Sequence, residues 1–410
     1  MTDLREVTAL ITCEGRDLGS IGPFPVESPW WSDVEPVVDH CRAMLGVNVA
    51  VTRLVDVTGG RSPRDGHVVY HVEALRRPAV VLPSATFAGV HQPARHRASW
   101  ATPHGVRDAL AWASGHLATD APILDIAEQV KTWNLSALFR VPVPGADPVW
   151  LKLTPPFAAH EPSVTELVAS VDAGLVPEIL ATDATHRRAL LKHVPGQDSW
   201  DAGAELIRTV VERWVGAQAA LAAGPPPDPA VIPHRLPRDL PDGLATLLDG
   251  ETGAMLDPDE RTAARTLLAR LPGLIDALDD CGLPATLVHG DFHPGNWRTA
   301  PRSTVLIDFA DAYWGHPAFD GERLREFVGP DRGPAVADAW SRAWRQARPG
   351  SRPERALRLT RPLQAISGAI GYQRFLDHIE DSERRYHELD PPQGVRDAIA
   401  ALRDLDRQSD

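Results

Sequence analysis

Three side chains that offer oxygen, Asp291, Asn296 and Asp308, fall within eighteen residues of a 410-residue chain. They lie in the stretch LVHGDFHPGNWRTAPRSTVLIDFADAYWGHPAFD, residues 287–320. Asn296 and Asp308 together suit a hard divalent cation such as Mg²⁺, which keeps room in its shell for water and phosphate. Asp291 then remains to orient a nucleophile or to receive its proton. Each residue alone is an ordinary turn former, because Asp, Asn, Gly and Pro are what loops use. Turn chemistry does not explain the ordered set His-Gly-Asp-x-x-x-x-Asn followed by an apolar run that ends Ile-Asp-Phe.

Such groups need rigid supports, and the ends of buried strands provide them. TLVH and TVLIDF are both strand-like and bounded by turn residues. Further upstream, VKTWNLSALFRVPVPGADPVWLKLTP contains two or three strands, with Gly145 and Pro148 marking a hairpin. In VWLKL, Val149, Leu151 and Leu153 share one face, and Trp150 and Lys152 share the other. A helix is expected from about Glu161, then two strands in VPEILATDATHRRALLKHVPG. After that the chain reads as helical to its end, interrupted by a proline-laden loop at 224–243. Lys131, Lys152 and Lys192 are the only lysines among 42 basic residues, in a composition typical of a GC-rich genome. A lysine on this strand therefore asks for a reason.

The order of HGDFHPGN and LIDF resembles the catalytic loop H-R-D-x-x-x-x-N and the metal loop D-F-G of eukaryotic-type kinases. The wording VHGDFHPGN, LIDFADA and GHPAFD resembles the aminoglycoside phosphotransferase and choline kinase family, over roughly residues 128–390. The resemblance implies an α+β, bilobal protein-kinase-like fold, with a small β-rich N-lobe and a large helical C-lobe, preceded by a small α+β domain. It implies ATP (or GTP) and Mg²⁺ as cofactors, and a hydroxyl acceptor on a small molecule. By the same resemblance Asp291 is catalytic, and Asn296 and Asp308 hold the metal. Lys152 grips the nucleotide phosphates, with Glu161 rather than Glu166 as its carboxylate partner. Ser136, in TWNLSALFRV, lies in the turn that covers the phosphates, though this turn lacks the glycine-rich protein-kinase pattern. Leu191 and His193, in LLKHVPG, offer backbone groups to adenine.

The expected division is 1–105 for a small domain with its linker, 106–195 for the N-lobe and hinge, and 196–410 for the C-lobe. In the first part VTALITC reads as a strand and SDVEPVVDHCRAML as an amphipathic helix, with a Ser32–Glu35 capping box and Gly46 as its stop. VNVAVTRLVDV and HVVYHVEAL read as a hairpin. The arrangement resembles a Nudix-type unit without the glutamate-rich signature that metal-dependent hydrolysis needs. Residues 86–105 read as a linker whose His91, His96 and His104 are solvated rather than metal-bound.

A net charge of −13 argues against a nucleic-acid partner. No apolar run approaches eighteen residues, so no membrane span is expected. Three scattered cysteines and a start, MTDLREVTAL, without a signal-type core point to the cytoplasm. The segment 371–390 is densely acidic and carries an apolar stripe at Tyr372, Phe375 and Ile379. It reads as a solvated helix face with charge pairs or as a helix that docks on the C-lobe; the family resemblance implies that such a helix helps wall the acceptor pocket, and an acidic wall would favour a cationic acceptor. Two alternatives stand beside the small-molecule kinase. One is a non-catalytic nucleotide-binding regulatory module. The other is a kinase for a peptide or protein side chain.

Overall fold

The structure, a computed structural model, describes residues 5–87, 90–117 and 121–407. The chain divides into two compact units, each assembled from separated stretches. The first comprises 1–159, 178–193 and 376–388.

This unit carries two sheets. The first contains β1 (Arg5–Cys13), β2 (Arg16–Val26), β3 (Val49–Thr58) and β4 (His67–Ala74) in the order β2-β1-β4-β3. β1 and β4 run parallel, and the outer pairs are antiparallel. The tight β1–β2 turn places both Glu14 (φ 53°) and Gly15 (φ 75°) in the left-handed region, which suits the twist of a two-residue hairpin. The helix Glu35–Leu45 buries Val37, Val38, Cys41 and Leu45, and Gly46 (φ 68°) ends it as expected. The Ser32–Glu35 capping box does not form: Val34 is the N-cap, and no side chain caps it. Pro36 presets the first turn instead, and the Ser32 carbonyl accepts from Thr132 N.

The second sheet contains β5 (Glu128–Trp133), β6 (Ser136–Val141), β7 (Val149–Leu153), β8 (Ile179–Asp183) and β9 (Arg188–Lys192). Their order is β5-β6-β7-β9-β8, antiparallel throughout. On β7 the alternation holds: Val149, Leu151 and Leu153 are buried, while Trp150 and Lys152 are half-buried. The Gln129 side chain joins the two sheets by accepting from Val51 N at 2.7 Å and donating to Val51 O at 2.8 Å.

The stretch 86–105 is more than a linker. The helix Pro103–Ser114 begins within it, capped by Thr102, whose hydroxyl accepts from Gly105 N. His91 pairs with Asp17. Among the described residues no cluster of His, Cys, Asp or Glu suits a metal.

The segment 371–390 departs from expectation. Helix Pro353–Leu376 stops, and a short 3₁₀ turn, Asp381–Tyr386, follows. Residues 376–388 belong to the first unit. Glu380 is 4% exposed. Its carboxylate accepts from Arg53 Nη1 at 2.6 Å and from Arg97 Nε at 2.9 Å. Glu383 Oε1 accepts from Leu54 N at 2.8 Å, and the Ser382 hydroxyl donates to Leu54 O. Tyr386 meets the rings of Trp31 and Trp133. The acidity of Glu380 and Glu383 is thus consumed inside the fold, so these two carboxylates do not serve as an acidic wall, while Asp377, Asp381 and Glu388 are exposed.

The second unit comprises 160–177, 194–375 and 389–410. Its core gathers the helices Glu161–Asp172, Ala204–Ala222, Pro258–Asp279, Ala318–Ala347, Pro353–Leu376 and Asp390–Arg407. Trp214, Trp297, Trp340 and Trp344 are its largest fully buried side chains. Short strands sit among them: β10 (Gln197–Asp198), β11 (Thr286–Val288), β12 (Trp297–Ala300), β13 (Ser303–Leu306) and β14 (Tyr313–Gly315). They form β10-β12-β13 and β11-β14. Among the described residues no helix is long and apolar enough to cross a membrane.

Removing one partner from a buried ion pair costs about 3–5 kcal/mol, because the other charge is stranded. Glu380→Ala should therefore lower unfolding stability by about that amount in urea titrations. A loss below about 1 kcal/mol would show that Arg53 and Arg97 do not depend on this carboxylate.

Candidate active site

The eleven residues between Asn296 and Asp308 fold into a hairpin. Trp297 faces Leu306, Ala300 faces Ser303, and Pro301-Arg302 makes the turn. The ladder runs one step further, since Ile307 N donates to Asn296 O at 3.0 Å. Asn296 and Asp308 therefore leave the same open end of the hairpin. Asp308 has φ 66°, a left-handed conformation that Asp visits more readily than most residues.

Asp291 follows β11 through His289 and Gly290. Gly290 has φ 85°, and a Cβ there would lie 2.4 Å from the Asp311 carbonyl oxygen, so this turn admits only glycine. Asp320, the last residue of GHPAFD, fixes the turn from beneath. It is 1% exposed. Its Oδ2 accepts from His289 N (2.9 Å), Trp214 Nε1 (2.8 Å) and Gln218 Nε2 (3.0 Å), and its Oδ1 accepts from Gly290 N (3.1 Å). His289 ties this turn to the metal loop. Burial lowers its pKa to about 4, so it is neutral near pH 7. Its Nε2–H donates to Ile307 O at 3.1 Å, and its Nδ1 faces Asp291 N.

Donors surround the Asp291 carboxylate. Arg323 sends Nε and Nη2 to Oδ1 at 3.0 and 2.8 Å. His293 accepts from Gly295 N at Nδ1, which leaves Nε2–H to donate to Oδ2 at 3.1 Å. Asn296 Nδ2 donates to the Asp291 carbonyl at 3.0 Å and to Oδ2 at 3.2 Å. Burial pushes the Asp291 carboxyl up, but the His293 hydrogen bond and the Arg323 charge outweigh it and hold the group well below the usual carboxylate range. The side chain is still about a third exposed, so a second molecule can reach it. The Asn296 NH₂ is committed to Asp291, which leaves the amide oxygen as its cation-binding atom.

The other expected residues have definite places. Glu161 opens its helix, is buried, and accepts from Phe309 N at 3.1 Å, so it holds the residue after Asp308. Glu166, on the same helix, is exposed. Lys152 sits on β7 opposite Leu138 and Ala189. Ser136 opens β6, its hydroxyl accepting from Trp133 Nε1 at 3.3 Å. Leu191 lies on β9 opposite Trp150, and His193 Nδ1 accepts from Trp150 Nε1 at 3.1 Å. The second unit thus brings Asp291, Asn296, Asp308 and Glu161 together, while Lys152, Ser136, Leu191 and His193 belong to the first.

Sequence reasoning missed Arg323, His293, Asp320 and Trp200. Asp320 had a signal, as an acid buried in an otherwise apolar HPAF context. Arg323 lies three residues later, on the same helix face, and only that spacing hints at it. Trp200 covers the catalytic loop: a Cβ on Gly295 would come within 2.5 Å of its ring. Phe327 stacks on His293 at 4.2 Å and carries Arg323 over its face.

The family model described as the phosphotransferase enzyme family matches residues 107–357. The chain belongs to that family, and it is an enzyme that transfers phosphoryl groups to hydroxyls. Choline kinase from Cryptosporidium parvum Iowa II is 9% identical over 74% of this chain and 97% of its own, with a TM-score of 0.51. Macrolide 2'-phosphotransferase from Brachybacterium faecium is 19% identical over 70% and 98%, with a TM-score of 0.47. A choline/ethanolamine kinase family protein from Mesorhizobium loti is 17% identical over 72% and 99%, with a TM-score of 0.47. No curated protein sequence matches the chain. The fold is the bilobal protein-kinase-like one, with additional α+β structure at the N-terminus.

Arg323 lowers the pKa of Asp291, so its removal raises that pKa. With Arg323→Gln, the acid limb of the phosphotransfer rate should move to higher pH, because Asp291 then protonates sooner as pH falls. A pH–rate profile measures this, and an acid limb that stays in place would show that Arg323 does not set the charge of Asp291.

Proposed function

We propose that the protein transfers the γ-phosphoryl group of ATP (or GTP), with Mg²⁺, to a hydroxyl on a small molecule such as an antibiotic, an amino sugar or a related metabolite. One observation carries this reading: the hairpin delivers Asn296 and Asp308 to one end, beside an ionised and accessible Asp291.

The donor set fits the metal. It consists of an amide oxygen and a carboxylate, both hard ligands. Mg²⁺ takes one or two such protein ligands and fills the rest of its shell with water and phosphate, in keeping with the lack of any larger ligand cluster among the described residues. When bound, the ion would offset charge on the β- and γ-phosphate oxygens. Lys152 would add positive charge at the phosphates. Ser136 would contact them from the covering turn. The backbone at Leu191 and His193 would meet the base.

Asp291 accepts a hydrogen bond from the acceptor hydroxyl and aims its oxygen at phosphorus. Arg323 and His293 make it a weak base, so the proton transfers late, as the new P–O bond forms. This agrees with catalysis by positioning and charge rather than by strong general base. Glu161 acts at one remove, holding the Phe309 amide and with it the direction of Asp308.

Asp291→Asn should leave nucleotide affinity nearly unchanged in calorimetry while turnover falls about 10²–10⁴-fold. Turnover near that of the unaltered enzyme, on any accepted alcohol, would remove Asp291 from the chemistry.

A further inference from the structure

The first unit contains a cleft of about 110 Å³ that phosphoryl transfer leaves unexplained. It is lined by Thr52–Arg53 of β3, by 96–101, by Trp133–Asn134 in the β5–β6 turn, by 155–157, and by 378–383. Its main charges are already matched: Glu380 takes both Arg53 and Arg97. Several polar atoms on its lining are not matched among the described residues, including Arg187 Nε, Asn134 Oδ1 and Glu383 Oε2. Asn134 Oδ1 and Glu383 Oε2 are buried and have no hydrogen-bond partner among the described residues, on side chains only 6% and 5% exposed.

Neither group can simply turn away. Glu383 Oε1 is held by Leu54 N at 2.8 Å, and Asn134 Nδ2 donates to the Glu383 carbonyl at 3.3 Å. These two unmet atoms sit on neighbouring side chains yet do not bond each other. Polar groups this deeply buried are nearly always paired, so two on one cleft wall point to a ligand.

The chemistry narrows the ligand. Burial pushes the Glu383 carboxyl up to about 8, and the nearby Glu380 adds to that, against the Leu54 amide and Arg53, which favour its charge. Near neutral pH it therefore holds a proton and can donate. Asn134 Oδ1 can only accept. A hydroxyl accepts from one and donates to the other with a single group. An ammonium group only donates, and it would lie among Arg53, Arg97 and Arg187. A carboxylate only accepts and leaves Asn134 Oδ1 unmet, and a phosphate, although its P–OH can donate, would lie against Glu380. Trp133, Phe157 and Pro155 supply apolar wall, and the volume is on the order of one small ring.

We propose that this cleft binds a neutral polyhydroxylated molecule, or one sugar ring of a larger one, through Asn134 and Glu383. This reading does not depend on the proposed phosphotransfer function.

Saturation-transfer NMR on the full chain tests it, with glycerol, myo-inositol and D-glucose as neutral probes and ethanolamine and inorganic phosphate as charged ones. At least one neutral probe should show transfer at millimolar concentration. Asn134→Leu should weaken it at least tenfold, while Asp291→Asn should retain it, which separates this cleft from the phosphotransfer site. If Asn134→Leu does not fold, Asn134→Ala decides and should show the same loss; Glu383→Gln should retain binding, because its amide oxygen still accepts from Leu54 N and its NH₂ donates in place of the carboxyl O–H. Transfer from no neutral probe, transfer only from ethanolamine or phosphate, binding undiminished in the deciding variant, or binding lost in Asp291→Asn would overturn the proposal.

Discussion

A single buried carboxylate organises the candidate active site. Asp320 gathers four N–H donors, two from the backbone of the His289–Gly290 turn and two from Trp214 and Gln218 on one helix. Burial, with the Asp291 charge nearby, pushes its pKa up to about 6 even against these donors. The four donors favour the ionised form, and none of them can accept a proton-bearing oxygen in exchange. The charge therefore survives burial because the turn is wrapped around it. Remove the turn and Asp320 loses two of its donors. Remove Asp320 and two amides of the catalytic loop lose their acceptor.

From that anchor the remaining geometry follows in short steps. The turn delivers Asp291, and His289 passes the same constraint to Ile307 in the adjoining loop. The hairpin from Trp297 to Leu306 then fixes Asn296 against Asp308. Glu161 holds the far side of that loop through the Phe309 amide. Arg323, one helical turn past Asp320, is carried to Asp291 by the same helix that supplies the anchor. The first unit uses a comparable device. Glu380 is buried between Arg53 and Arg97, and its segment closes over β3. In both cases an acid far along the chain is buried where it organises a segment of distant sequence position.

That distance explains what could be read from the sequence. The strands of the five-stranded sheet were legible because period-2 alternation is local, as Val149, Leu151 and Leu153 show. The helix Glu35–Leu45 was legible by its 3.6-residue period, and Gly46 by its conformation. Asp291, Asn296 and Asp308 stood out because the ordered set His-Gly-Asp-x-x-x-x-Asn then Ile-Asp-Phe lies within one short stretch and resembles kinase catalytic and metal loops. What failed was long-range pairing. The segment 371–390 shows a run of charge along the sequence, but the partners of Glu380 lie more than 280 residues earlier. No local pattern can report that, so a buried staple reads as a solvated or pocket-lining helix. The Ser32–Glu35 box failed for a smaller reason: Pro36 starts the helix without it, and the backbone of Ser32 is already engaged with β5.

The central claim is that Asn296 and Asp308 hold the metal beside Asp291. Anomalous diffraction from crystals grown with Mn²⁺ and a non-hydrolysable ATP analogue tests it most directly. A Mn²⁺ peak should lie within ligand distance of Asn296 Oδ1 and an Asp308 carboxylate oxygen, with the remaining positions filled by phosphate and water. A peak ligated by neither residue, with nucleotide present, would contradict the account.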